Sequence, residues 1–342
     1  MTKQNVLISC SGKWAGMVCQ IRSSMQLVPE LRNGHVYVAS AESITSAGAF
    51  ADKQFVVPRI ADDNYISSLQ ELCERSQVRV LLPIIDVDVM RLAPYAEEFS
   101  RRGITVVVPP AEIGRLCLDK TEFEQFAEQH RIRVPRTVSP AAFAGARYPL
   151  FFKRRCGFGS IGSGVARTLD EAQIKLANDS DLVFQEFFAI SEFSVDAFIS
   201  HTGSPVYVVQ RVRDKVIGGE AVRSHTVKDI SIGNTALRLL RALAQRGLSG
   251  PVNIQMFASD PPAVFDVNPR LGSASVLSNV ATGGRLFASV LQEACGGTAK
   301  SASVDDYEEG LFLYRYLGDV FYRTDSSWVQ ALPPVASHEV RR

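Results

Sequence analysis

Asn253-Ile-Gln-Met-Phe257 is followed a few residues later by Ala263-Val-Phe-Asp-Val-Asn-Pro-Arg-Leu-Gly272. The two apolar runs predict a strand, a turn and a second strand. Residues two apart on an extended strand share a face, so Asp266, Asn268 and Arg270 are expected to project together. Gln255 on the preceding strand adds an amide oxygen. A carboxylate, amide oxygens and a guanidinium suit a hard cation bridging phosphates, with the arginine taking up phosphate charge. A hairpin with a polar outer face explains the same alternation, and these residues alone do not separate the two readings.

Upstream, Pro149-Leu-Phe-Phe-Lys153 reads as a strand, and Arg154-Arg-Cys-Gly-Phe-Gly-Ser-Ile-Gly-Ser-Gly164 follows it directly. Glycine allows φ > 0 and close backbone approach, so N–H groups around Gly157, Gly159, Ser160 and Gly162 can close over phosphates. A plain flexible hairpin is the competing reading, and Lys153 beside the loop favours phosphate. Leu182–Phe188 is a further strand. Ile190–Ile199 alternates, placing Glu192, Ser194 and Asp196 on one face. Val206–Val212 leads into an expected basic loop holding Arg211, Arg213, Lys215, Arg223, His225 and Lys228, and Ile232–Gln245 carries a helical apolar stripe.

The first ~110 residues have another rhythm. Val6–Ser9, Val36–Ala39, Phe55–Val57, Val80–Ile85 and Ile104–Val108 are short apolar runs, with helical patterns clearest in Tyr65–Ser76 and Val89–Arg101. Buried strands alternating with helices predict a parallel sheet covered on both faces, whose ligands gather beyond the strand carboxyl ends. Ser11-Gly-Lys-Trp-Ala-Gly16 falls there and reads best as a tight strand-to-helix turn. Asp86 and Asp88 fall there too, as helix caps or as substrate contacts.

Composition narrows the class. The 342 residues are 46% hydrophobic and 21% charged, with 37 basic and 36 acidic side chains and a net charge of +1. That is a multi-domain globular composition, and it gives no electrostatic reason to expect nucleic acid or an anionic membrane as partner. No run approaches the ~20 apolar residues of a membrane span, and the N-terminus lacks a signal-peptide pattern, so the cytoplasm is the expected location. The six cysteines are scattered, without a CxxC pair.

The ordered set of motifs resembles the ATP-grasp superfamily, and most nearly its carbamoyl-phosphate-synthase-like members. The set comprises Lys120 opening a helix, strand-Lys153 and the glycine loop, and Gln185-Glu-Phe-Phe188. It continues with Ser191-Glu-Phe-Ser-Val-Asp196, Gly219-Glu, His225-Thr-Val-Lys-Asp229, and Asp266-Val-Asn-Pro-Arg270. The resemblance spans roughly residues 1–298. It implies an N-terminal parallel, Rossmann-like α/β domain over 1–112, a lid over 113–188, an antiparallel α+β core over 189–300, and C-terminal strands over 301–342.

ATP would lie between lid and core. By the same resemblance Lys120 and Lys153 contact phosphates, and Lys153 also lies near the adenine. Gln185, Glu186 and Phe188 line the adenine site, with the backbone of Glu186 and Phe188 gripping its edge. Glu192 holds the ribose. Gln255, Asp266 and Asn268 bind Mg2+ (or Mn2+), and Arg270 meets the transferred phosphoryl group. His225 and Arg223 are expected to contact the acyl phosphate and the acid substrate.

The implied reaction activates a small-molecule carboxylate as an acyl phosphate for attack by an amine or similar nucleophile, releasing ADP and phosphate. A small-molecule kinase and a non-catalytic ATP-binding regulator are the alternatives, and a homodimer is compatible with either. One departure bears on the metal. Asp266 stands where the family usually has glutamate, so the reach is one methylene shorter.

Overall fold

Val6-Leu-Ile carries no polar side chain because both faces of its sheet are covered. In the computed structural model, which describes residues 4–157, 162–301, 303–323 and 328–329, these residues are fully buried. The N-terminal part runs β1 (Asn5–Ser9), α1 (Ala15–Met25), β2 (Val36–Ser40), β3 (Lys53–Val56), α2 (Tyr65–Arg75), β4 (Val78–Pro83), α3 (Asp86–Leu92), α4 (Ala96–Arg101) and β5 (Thr105–Val106). The strands pair in parallel in the order β3-β2-β1-β4-β5. The single helix expected over Val89–Arg101 is two helices joined by a 3-10 turn at Ala93–Tyr95. Pro94 supplies no N–H to continue the α ladder, and its ring crowds the preceding turn.

Next come α5 (Ala111–Leu118), α6 (Lys120–Gln129), β6 (Leu150–Arg154), β7 (Gly164–Ala166), α7 (Leu169–Asn178) and β8 (Leu182–Glu186). The three strands form an antiparallel sheet, β7-β6-β8, with its own small core around Leu150, Phe152, Phe143 and Phe184. The last part holds β9 (Glu192–Ile199), β10 (Pro205–Ile217), β11 (Glu220–Val227), α8 (Ile230–Gln245), β12 (Gly250–Phe257), β13 (Ala263–Asn268), α9 (Ser275–Ala281), α10 (Arg285–Ala294) and β14 (Phe312–Tyr314). These six strands make one sheet in the order β13-β12-β9-β10-β11-β14, and β15 (Phe321–Tyr322) pairs with β16 (Trp328–Val329).

The six-stranded sheet has two different faces, as its period-two alternation requires. One face presents Val195, Ala197, Ile254 and Met256 to Leu239, Leu240 and Leu243 of α8 and to Phe126 of α6. Helices α5 and α6 therefore pack with the core sheet and not with the three-stranded lid. The other face presents Ser194, Asp196, Arg211, Asn253 and Gln255. The N-terminal sheet is fixed against this body by a shared core in which Ile8, Val38, Met17 and Ile21 meet Tyr207, Phe287 and Leu291.

Candidate functional site

Asp119 caps α6, its Oδ1 accepting from the backbone N–H of Thr121 at 2.9 Å and of Glu122 at 3.1 Å. Lys120 is thereby fixed at the first helical position, buried, with Nζ donating to Asp266 Oδ1 at 2.6 Å. Asn268 Nδ2 donates to Asp266 Oδ2 at 2.8 Å, which confirms that the two side chains share a face. Gln255 is the cross-strand partner of Asp266. From the lid sheet, Lys153 Nζ reaches the carbonyl of Phe265 at 3.0 Å.

Charge follows from this packing. Burial pushes the Asp266 carboxyl up, but the Lys120 and Lys153 ammoniums outweigh it and hold the group down at about 2. Burial works against the charge on Lys120, and Asp266 more than restores it, so that lysine stays above its ordinary value. Lys153 makes no ion pair among the described residues, and burial followed by repulsion from Lys120 pulls it down to about 8.

Arg270 does not continue the strand. β13 ends at Asn268, Pro269 has no N–H for the ladder, and the Arg270 N–H turns back to the Asn268 carbonyl at 2.8 Å. Its guanidinium grips Asp86, with Nε to Oδ1 at 2.7 Å and Nη2 to Oδ2 at 2.5 Å. Asp86 thus neither caps a helix nor stands free as a substrate contact. Asp88 is excluded from substrate as well. It is fully buried, accepting from Ser9 Oγ at 2.5 Å and Tyr65 OH at 2.6 Å, and burial raises its pKa despite both donors.

A cleft of about 410 Å3 opens between the polar face of the core sheet and the N-terminal domain. Asp266, Asn268 and Gln255 line it, as do Arg211, Arg213, Arg270, Trp14, Lys13 and Glu220. Arg211 donates to Asp196 at 2.8 Å through Nε, and its buried Nη1 has no partner among the described residues. Arg213 Nε stands 3.0 Å from Glu192 Oε2, so the residue expected at the ribose forms an ion pair at the start of β9. The Ser11–Gly16 turn closes one end of the cleft, Lys13 Nζ meeting Glu220 Oε1 at 2.8 Å.

The basic segment is not a loop but the β10–β11 hairpin, and this moves two expected residues. Thr226 opposes Arg211 and His225 opposes Val212, so His225 and Arg223 alternate away from the cleft face. His225 Nδ1 instead lies 2.9 Å from Asp214, its ring stacked on Phe312, and Arg223 is exposed between Lys215 and Tyr314. Neither is placed to touch a phosphoryl group in the cleft.

Gln185 also turns away. Its side chain is buried and donates to the Pro135 carbonyl at 3.2 Å. The Glu186 N–H is taken by the Arg136 carbonyl at 3.0 Å. Phe188 stacks on Phe257 at 4.6 Å, and Phe257 meets Phe265 at 4.4 Å, which makes an aromatic shelf beside Lys153. Gly157 and Gly162 flank the glycine loop, Gly162 with φ of 75°, while Gly159 and Ser160 lie outside the described residues.

The shelf depends on a feature that alternation does not reveal. Gln255 pairs with Asp266 but Met256 pairs with Val264, so Phe265 is an extra residue in a β-bulge. A bulge re-aims side chains, and here Phe265 comes to the Phe257 side next to Asp266. Asp86, Asp196, Phe257, Phe265 and Glu220 were given no nucleotide or metal role from the sequence. Asp86 had a signal in its position past a parallel strand, Asp196 and Glu220 had one in the motifs that contain them, and the two phenylalanines had none.

A parallel domain, a small antiparallel lid and a six-stranded antiparallel core with lysines, an aspartate and an asparagine between them define an ATP-grasp architecture. Sequence comparison agrees. Residues 6–107 match the PylC-like, N-terminal domain, and residues 117–274 match the ATP-grasp domain. The chain carries an ATP-grasp domain behind a PylC-like N-terminal domain, and ATP-grasp domains bind ATP with Mg2+ in ligase-type chemistry. None of the curated proteins matches the sequence.

Among solved structures, biotin carboxylase from Campylobacter jejuni in its β,γ-ATP complex superposes with a TM-score of 0.72 at 12% identity, over 90% of this chain and 74% of that one. The biotin carboxylase domain dimer of Hydrogenobacter thermophilus 2-oxoglutarate carboxylase, in complex with MgADP, ADP and bicarbonate, gives 0.68 at 12%, over 90% and 73%. L-amino acid ligase from Bacillus licheniformis gives 0.65 at 17%, over 86% and 74%. At these identities the likeness is one of fold.

Proposed function

We propose that this chain is an ATP- and Mg2+-dependent ligase that activates a small-molecule carboxylate as an acyl phosphate for attack by an amine or similar nucleophile. The observation that supports it most is the meeting of two sets of groups around Asp266, with Lys120 and Lys153 reaching its strand beside the cleft that Asp266, Asn268 and the arginines line. Lys120, Lys153, Asp266 and Asn268 gather on the lid side, and Arg211, Arg213 and Arg270 line the side that the nucleotide motifs leave over. The donor set fits a metal carried in with phosphates. Mg2+ is commonly held by one or two carboxylates plus phosphate oxygens, and Asp266, fully ionised at neutral pH, offers one with amide oxygens of Gln255 and Asn268 beside it. When bound there, the ion would supply positive charge to offset the charge that builds up in the transfer.

The chain's own groups have distinct tasks in this reading. Lys153 and Lys120 hold phosphates, the latter turning from Asp266 as the nucleotide arrives. The Phe188–Phe257–Phe265 shelf carries the adenine, and Glu192 the ribose. Arg270 meets the transferred phosphoryl group, while Arg213 and the unpartnered Nη1 of Arg211 receive the acid substrate.

Screening carboxylic and amino acids, each with an amine, for ADP release tests the proposal. ADP with phosphate and an amide supports a ligase, and ADP with a stable phosphorylated acid means a kinase. The non-catalytic alternative draws on Asp266, whose oxygens are already engaged by Lys120 and Asn268. ATP binding without turnover across the whole screen would favour it.

Two expected results follow from the site. Arg213→Ala raises KM for the acid about tenfold, the worth of one charge-assisted contact, and leaves KM for ATP nearly unchanged. Arg223→Ala moves neither, because its side chain points off the opposite face. Steady-state kinetics on both variants decides between the two sides of the hairpin.

The second result concerns Lys153. With its pKa near 8 in the free protein, it is partly neutral at pH 8.5, and phosphates raise its pKa. Mg·ATP binding should then take up a proton at pH 8.5 and none from this group at pH 6.5. Calorimetry in buffers of different ionisation enthalpy measures the uptake. In Lys153→Arg, whose guanidinium stays charged, the uptake should vanish.

A further inference from the structure

The Arg270–Asp86 pair joins the N-terminal domain to the end of β13 in the cleft, and both side chains are only 15% exposed. Asp86 takes the Nε–Nη2 edge of the guanidinium in two parallel bonds. Nη1 donates to the Leu271 carbonyl at 3.0 Å. A guanidinium has five N–H donors, so these three bonds leave one on Nη1 and one on Nη2 able to engage an anion. Both carboxylate oxygens of Asp86 are committed to the arginine, and the side chain makes no capping bond to α3.

We propose that Asp86 is a positioning residue for Arg270. It holds the guanidinium by one edge so that the other edge faces the transferred phosphoryl group, making the N-terminal domain part of the phosphoryl-transfer machinery. The proposal rests on the reading above that Arg270 meets that group. A free arginine has several rotatable bonds and would have to be ordered during the reaction. Arg270 is ordered beforehand, which is how a fixed donor gains over a mobile one. The pairing does not switch Arg270 off, because a guanidinium remains charged in a salt bridge and has donors to spare.

Binding of Mg2+ with ADP and with the β,γ-imido analogue of ATP, measured by calorimetry, tests this without needing the acid substrate. Only the triphosphate presents a γ-phosphoryl group, so the ratio of the two affinities reports on Arg270. Arg270→Ala should lower the preference for the analogue about tenfold. Asp86→Ala should lose most of the same preference with ADP affinity unchanged within about twofold, and the double variant should lose no more than Arg270→Ala alone. Asp86→Asn, which keeps the shape and one acceptor oxygen, should fall between and serves if the alanine variant does not fold.

A merely structural Asp86 would weaken ADP and analogue alike and leave the ratio at the wild-type value, which overturns the proposal. If Arg270→Ala itself leaves the ratio intact, the role given to Arg270 fails and the positioning role of Asp86 fails with it. Loss in Arg270→Ala beside full retention in both Asp86 variants sinks the positioning role alone.

Discussion

Asp266→Asn is expected to lower Mg2+-dependent ADP release by about a hundredfold or more, the scale on which removal of one fixed electrostatic partner acts on a charged transition state. Asp266 is the sole carboxylate in the set Gln255, Asp266 and Asn268. Its ionised form is secured by two lysines that hold its pKa at about 2. The amide keeps the shape but brings no charge to a metal. It also leaves Lys120, 9% exposed, without its counter-ion, so the variant should melt lower as well.

That stability cost has a defined pH window. A carboxylate with a depressed pKa stabilises the fold above its ordinary value of 3.8, and the contribution fades as the pH falls toward about 2. The difference in melting temperature between wild type and Asp266→Asn should be constant around neutrality and shrink in acid. Asp266→Glu restores the family's longer reach. Activity above wild type would identify the short side chain as limiting the metal geometry. Full ADP release in Asp266→Asn would remove Asp266 from the metal site.

Much of this arrangement can be read from periodicity. The apolar runs around Val6, Val36 and Val80 have no polar face to offer water, so a doubly covered parallel sheet was the remaining solution. The Asp266–Asn268 pair follows from strand alternation alone. What alternation cannot supply is the point at which a strand begins, ends or slips. Taking Arg211–Lys228 as a loop gave Arg223 and His225 free reach toward substrate, whereas a hairpin continuing to Ile217 and returning from Glu220 assigns them to the far face. The bulge at Phe265 and the turn at Pro269 are single-residue events with the same consequence. Long-range partners are further from view, since nothing local to Asp86 marks an arginine 184 residues away.

Asp196→Ala is expected to give the largest stability loss outside the nucleotide site. Its Oδ2 accepts from Arg211 Nε at 2.8 Å and Ser278 Oγ at 2.6 Å, and its Oδ1 from Asn253 Nδ2 at 2.7 Å. The Arg211 and Asp196 side chains are 3% and 4% exposed. Truncation strands a guanidinium among groups that cannot solvate it, at a cost of about 3–5 kcal/mol, with the Asn253 and Ser278 donors adding to it. Arg211→Met should cost less, because Asp196 keeps the Asn253 and Ser278 donors. The double variant should recover part of the loss of Asp196→Ala, since the stranded charge is then gone. Urea unfolding of the three variants gives the coupling. A double variant less stable than Asp196→Ala would mean that packing, and not charge, is what Asp196 supplies. The consequence for function runs through Arg211. Asp196 takes its Nε, so Nη1 stays unpartnered at the cleft, and Asp196→Asn, which keeps the shape, should raise KM for the acid while ATP binding holds.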